Sequence, residues 1–136
     1  MNLYQSAAFL KHKATSKSRQ GVHSPFVYKL IDEVFYLTGK FYNYDKVNSL
    51  RSKLLRDTTL IEVKDLGAGS KILGNTRRIQ QIARVSVKNK KLGELIYRLA
   101  VHFHPEISIE LGTSLGVTTS YLALANTKGQ VYTIEG

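Results

Sequence analysis

Cysteine is absent, proline occurs twice, and acidic residues number only ten against twenty lysines and arginines. The missing cysteines exclude a disulfide framework, thiolate zinc ligation and a cysteine nucleophile, and they agree with a reducing compartment. Long apolar runs are missing too: no stretch approaches the roughly eighteen residues of a membrane span. The short run Ala7–Leu10 is followed, not preceded, by its basic cluster, the reverse of a signal peptide. These absences point to a cytoplasmic protein with no membrane association. The chain is 136 residues long and 43% hydrophobic, enough for one modest domain with a real core.

The formal charge of +10 would attract nucleic acid, anionic membrane or an anionic substrate at low salt. Its sources are scattered: Lys11, Lys13, Lys17 and Arg19; Arg77 and Arg78; Lys88, Lys90 and Lys91. Each cluster reads first as a solvated helix end or loop. No basic stripe is interleaved with aromatics on a strand and no recognition helix stands out, so nucleic-acid binding has electrostatic support alone.

Leu3, Ala7 and Leu10 fall at helical spacing, giving a short helix over 3–10, and Thr15–Gly21 reads as a linker. Ser24 and Pro25 form a cap and first-turn pair for a helix running to Gly39, with Phe26, Leu30, Ile31, Val34 and Phe35 on its apolar face. Asp45 is the expected cap of a helix through about Arg56 that buries Val47, Leu50, Leu54 and Leu55. Ile61-Glu62-Val63 alternates like a strand, and Asp65–Ser70 follows as a glycine turn. Asn75 or Thr76 is expected to cap a helix carrying Ile79, Ile82, Ala83 and Val85. A cleaner helix uses Leu92, Leu95, Ile96, Leu99, Ala100 and Phe103, and Pro105 closes it. Ile107–Leu111 then reads as a buried strand, Leu115–Ala125 as a helix and Val131–Glu135 as a second buried strand, a βαβ unit. The organisation is α/β: a mainly helical region over 1–87 followed by an α/β unit over 88–136.

Between the first of those strands and its helix lies Glu110-Leu111-Gly112-Thr113-Ser114-Leu115-Gly116, where glycines let the backbone bend sharply and bring main-chain amides to a ligand. A dinucleotide fingerprint would need glycines where Ser114 and Val117 stand. Gly69–Gly74 has a P-loop gap but continues Asn75-Thr76, without the lysine that reaches phosphates. Gly112–Gly116 does satisfy Gly-x-Ser-x-Gly, so a serine hydrolase with its nucleophile at Ser114 is a rival reading. No histidine follows Ser114, however, and His102 and His104 lie upstream, the wrong chain order for that fold.

The remaining pattern is acidic-x-Gly-x-x-x-Gly at the first strand, followed by an acidic residue, Glu135, at the end of the next. With Leu92–Phe103, Ile107–Gly116, Thr118–Ala125 and Val131–Glu135 in that order, the last third of the chain resembles class I S-adenosylmethionine-dependent methyltransferases. The likeness is strongest to the branch acting on small-molecule hydroxyls. His23–Tyr28 and Asp65–Ser70 are similar to segments that precede the methyltransferase domain in a bacterial group of such proteins.

The resemblance implies a Rossmann-like fold, S-adenosylmethionine as cofactor and a small-molecule methyl acceptor. It implies that Glu135 accepts hydrogen bonds from the ribose hydroxyls and that Gly112 admits the methionine portion. Thr113, Ser114 and Gly116 would shape the turn, and Glu110 would organise the loop or meet the amino end. Ser114 stands where many members have glycine, so its side chain has to point away from the ligand. Asp65–Ser70 would be a substrate-side or structural turn.

A complete fold of this class has more strands than the Ile107–Leu111 and Val131–Glu135 pair. The resemblance therefore implies a truncated domain that stops inside its site, with little methyl transfer of its own. Catalytic residues and any metal ligands would come from later strands, so none is named. The open edge of Ile107–Leu111 would invite pairing with a second copy, giving a homo-oligomer.

Overall fold

The computed structural model describes residues 3–16, 21–39, 41–63 and 76–135. They fall into two compact units, Met1–Leu37 and Thr38–Gly136. In the first unit, helix α1 covers Leu3–Thr15, longer than its apolar spacing predicts, and buries none of its side chains. Helix α2, Pro25–Leu30, starts as expected: the Ser24 hydroxyl accepts a hydrogen bond from the Val27 amide at 3.4 Å, with Pro25 in the first turn. The helix then widens into a π-helical turn, Ile31–Phe35, closed by the Tyr36 amide donating to the Ile31 carbonyl at 2.9 Å. It ends short of Gly39, and of the predicted apolar face only Val34 is buried, with Phe26 and Phe35 exposed.

The second unit carries the core. Helix α3, Tyr42–Leu54, follows Phe41 with no side-chain cap. Asp45 is not the cap but lies inside the first turn, where a carboxylate still favours the positive end of the helix dipole. Strands β1, Leu60–Glu62, and β2, Thr76–Arg78, pair antiparallel, Ile61 opposite Arg77. That pairing claims Thr76, so helix α4, Ile79–Ser86, begins two residues later. Its N-cap is Arg78, whose amide donates to the Gln81 side-chain oxygen at 2.9 Å. Asn75 and the turns Asp65–Ser70 and Gly69–Gly74 lie outside the described residues.

Helix α5, Lys90–Phe103, is capped by Asn89, whose side chain accepts from the Leu92 amide at 3.0 Å, and it ends in left-handed His104 before Pro105. It buries Gly93, Tyr97 and Ala100, while Leu92 and Phe103 of the predicted face are exposed. Tyr44 and Val47 of α3, Tyr97 of α5, and Val117 and Tyr121 of helix α6, Val117–Ala125, form one buried cluster. Polar ties run through it. Asn48 accepts from the Tyr121 hydroxyl at 3.0 Å and donates to Glu94 at 3.1 Å, and Asn43 donates to the Tyr97 hydroxyl at 3.1 Å.

Strands β3, Ile107–Leu111, and β4, Gln130–Ile134, pair in parallel with Ile109 opposite Tyr132, and α6 is the crossover between them. This is a βαβ unit in a mixed α/β chain. Both strands were expected to be buried, and the structure corrects that. Side chains alternate across a sheet, and Ile107, Ile109, Leu111, Tyr132 and Ile134 share the outward face, each 54–80% exposed. Only the inward positions Ser108, Glu110 and Val131 are half-buried. A contiguous apolar face of this kind binds hydrophobic dyes and promotes association. Ile109→Lys is expected to lower the fluorescence gained by anilinonaphthalene sulfonate and the light scattering at high concentration, with stability changed by no more than about 0.5 kcal/mol. Dye binding equal to that of the parent chain would contradict this. Among the described residues no helix is long and apolar enough to cross a membrane.

Candidate functional site

The site is built at the carboxyl ends of the two parallel strands, where open α/β sheets hold their ligands. The β3 ladder runs on into the turn, the Gly112 amide donating to the Ile134 carbonyl at 2.8 Å. Gly112 has φ +89° and a Cβ there would meet nothing within 4 Å, so the glycine serves backbone conformation and leaves open space above the turn. Ser114 and Gly116 are left-handed as well, at φ +48° and +68°. Gly116 caps α6, and its amide closes the turn on the Thr113 carbonyl at 2.9 Å.

For a residue other than glycine the left-handed region costs on the order of 1–2 kcal/mol, so Ser114 needs holding. Two contacts hold it. Its amide donates to Glu135 Oε2 at 2.7 Å, and its hydroxyl donates to Ser86 Oγ, at the end of α4, at 2.8 Å. Ser114 thus ties the turn to α4.

Glu110 organises the other side of the turn. Its Oε2 accepts from the Thr119 hydroxyl of α6 and from the Thr133 hydroxyl of β4, the latter at 3.0 Å. Thr133 also meets the Thr113 hydroxyl. Since Thr133 donates its proton to Glu110, Thr113 is the donor in that pair. One carboxylate therefore joins β3, β4, α6 and the turn.

Glu110, Gly112, Thr113, Ser114 and Glu135 line a cleft of about 750 Å³. Gly116 supports them from the α6 cap. Facing them are side chains the sequence did not single out for a site: Ile61 and Val63 at β1, Arg77 of β2, Ile82, Val85 and Ser86 of α4, and Lys88. Lys88 and Arg77 had been visible only as members of charge clusters, and nothing local marks Ser86 or Ile61. Ser114 Oγ is within reach of Ser86 rather than of a histidine. Neither His102, stacked edge-on against Phe103, nor His104, in the cap of α5, lines the cleft. Among the described residues no three metal-ligating side chains converge.

Comparison with protein-family models, curated proteins and solved structures returns no match.

Proposed function

We propose that Ile107–Glu135 is the S-adenosylmethionine half-site of a Rossmann-like methyltransferase acting on a small molecule. One observation carries the reading: two carboxylates, Glu110 and Glu135, flank a left-handed glycine turn at the carboxyl ends of adjacent parallel strands. A cofactor with a sulfonium cation, an ammonium group and a ribose diol, and no phosphate, suits carboxylates rather than a cationic cradle. When bound, it would supply an electrophilic methyl group to a nucleophile of the acceptor.

The chain's own residues would do the holding. Glu135 spends Oε2 on the Ser114 amide, and Oε1 makes no hydrogen bond to a described residue, so it is available to a ribose hydroxyl. The open space over Gly112 lets a ligand approach the main chain. A cleft of about 750 Å³ falls within the usual range of roughly 300–1,000 Å³ for small-molecule sites.

The test is a titration of the ¹⁵N-labelled chain with S-adenosylmethionine, followed by amide NMR. Shifts should concentrate at Gly112, Ser114 and Gly116. Removing a charged hydrogen-bond acceptor costs about 1.5–3 kcal/mol, so Glu135→Ala should weaken binding by about tenfold to a hundredfold. Shifts spread over the whole surface, or unaffected by Glu135→Ala, would sink the proposal.

A further inference from the structure

The cleft has two walls of opposite chemistry. On the turn wall the charges are carboxylates already engaged by donors: Glu110 by two threonine hydroxyls and Glu135 by the Ser114 amide. Among the described residues the charged side chains of the facing wall are Arg77, itself engaged, and Lys88, set among Ile61, Val63, Ile82 and Val85. Lys88 is exposed and its ammonium makes no ion pair with a described residue. A wall of aliphatic side chains edged by cations matches a ligand with an apolar body and one anionic group.

We propose that this facing wall is a subsite for a small organic anion, a carboxylate or a phosphate ester on an apolar body, gripped by Lys88 and Arg77. The assignment of that anion as the methyl acceptor rests on the methyltransferase reading; the subsite itself rests on the wall. The two fit together electrostatically. A sulfonium on the turn wall and an anion opposite attract each other across the cleft, and the net charge of +10 steers anions toward the chain. The anion would be anchored at the cationic edge with its apolar body against Ile82 and Val85, leaving its other end to face the turn.

The experiment uses the full chain and three probes that share a phenyl body: 4-hydroxybenzoate, phenyl phosphate and the uncharged 4-hydroxybenzamide. Binding is followed by methyl NMR at Ile82 and Val85, and S-adenosylmethionine is titrated in parallel against the Gly112 and Gly116 amides. The proposal expects one or both anions to bind about tenfold or more tightly than the amide, a gap near 1.4 kcal/mol. Which anion binds tighter identifies the acidic group. Lys88→Gln, a change at an exposed side chain, should reduce that preference, and Lys88→Gln with Arg77→Gln should erase it, while the cofactor-induced amide shifts persist.

Equal binding of anion and amide, no binding of any probe, or a preference that survives the double substitution overturns the subsite. If the anion preference follows Lys88 and Arg77 while S-adenosylmethionine leaves Gly112 and Gly116 unmoved, the subsite stands and the methyltransferase reading falls.

Discussion

Tyr121→Ala is expected to destabilise the unit Thr38–Gly136 by about 3–5 kcal/mol, the range for removing a large aromatic side chain from a packed core. That is a large share of the roughly 5–15 kcal/mol that holds a typical domain together. Tyr121 is only 2% exposed and sits in the cluster formed by α3, α5 and α6. Its ring fills the space over Gly93 so closely that a Cβ at position 93 would collide with it. Urea denaturation followed by far-ultraviolet circular dichroism checks the magnitude, and a loss under about 1 kcal/mol would mean that the cluster does not hold the helices.

The phenol adds a pH dependence. Burial, with the nearby Glu94 carboxylate, raises the Tyr121 hydroxyl to about 12 from 10.0. In the unfolded chain the phenol ionises near pH 10, so between about pH 10 and 12 the unfolded state loses a proton that the folded state keeps. The stabilisation is therefore complete below pH 10 and is lost as pH rises toward 12. Tyr121→Phe should flatten that alkaline decline. A slope remains from Tyr44, whose hydroxyl is also raised, chiefly by burial. A urea midpoint that falls equally between pH 8 and pH 11 in both proteins would rule Tyr121 out as its source.

The same cluster explains what could be read in the sequence and what could not. The βαβ unit was legible because its signals are local: glycines between an apolar strand and a helix, then an acidic residue closing the second strand. The burial of its strands was not: Ile107–Leu111 alternates strictly between apolar and polar residues, and whether its apolar face is covered depends on elements distant in sequence. In α5 the stripe from Leu92 to Phe103 suggests the packing face, and Ala100 of it is buried, yet the helix also turns Gly93 and Tyr97 inward. Close approach to the Tyr121 ring demands a residue without a Cβ, a requirement visible only once α6 is in place.

The cap of α4 differs from its local signal for a similar reason. Thr76 is a sound cap by type, but pairing with Glu62 takes it into β2. Of the cleft lining, the turn stands out by its glycine spacing, and the two carboxylates by that spacing together with the methyltransferase resemblance. The facing wall does not, because its residues are brought opposite the turn by tertiary packing, and Ser86 has no motif to announce it.

Glu110 offers the sharpest separation between a residue that shapes the site and one that touches the ligand. Glu110→Ala removes the acceptor shared by Thr119 and Thr133 and should cost about 1.5–3 kcal/mol, the scale of a hydrogen bond to a charged group. The amide resonances of Gly112, Thr113 and Ser114 should shift with it, because Thr133 links the carboxylate to Thr113.

Glu110→Gln should be much milder. Both hydroxyls converge on a single oxygen, Oε2, so a glutamine placing its carbonyl there can accept both with little movement. Neutral acceptors make bonds roughly half as strong, so stability should fall by about half the alanine loss. The two variants then divide the roles. If Glu110 acts only on the turn, Glu110→Gln should bind S-adenosylmethionine within about threefold of the parent chain, a difference well under 1.4 kcal/mol. If its carboxylate meets the cofactor's ammonium directly, affinity should drop steeply in Glu110→Gln while the Gly112 and Ser114 resonances stay in place. Thr119 and Thr133 both bond Oε2 and so tie the carboxylate to the turn, while Oε1, like that of Glu135, makes no hydrogen bond to a described residue; the affinity of Glu110→Gln decides whether that second oxygen also meets the ligand.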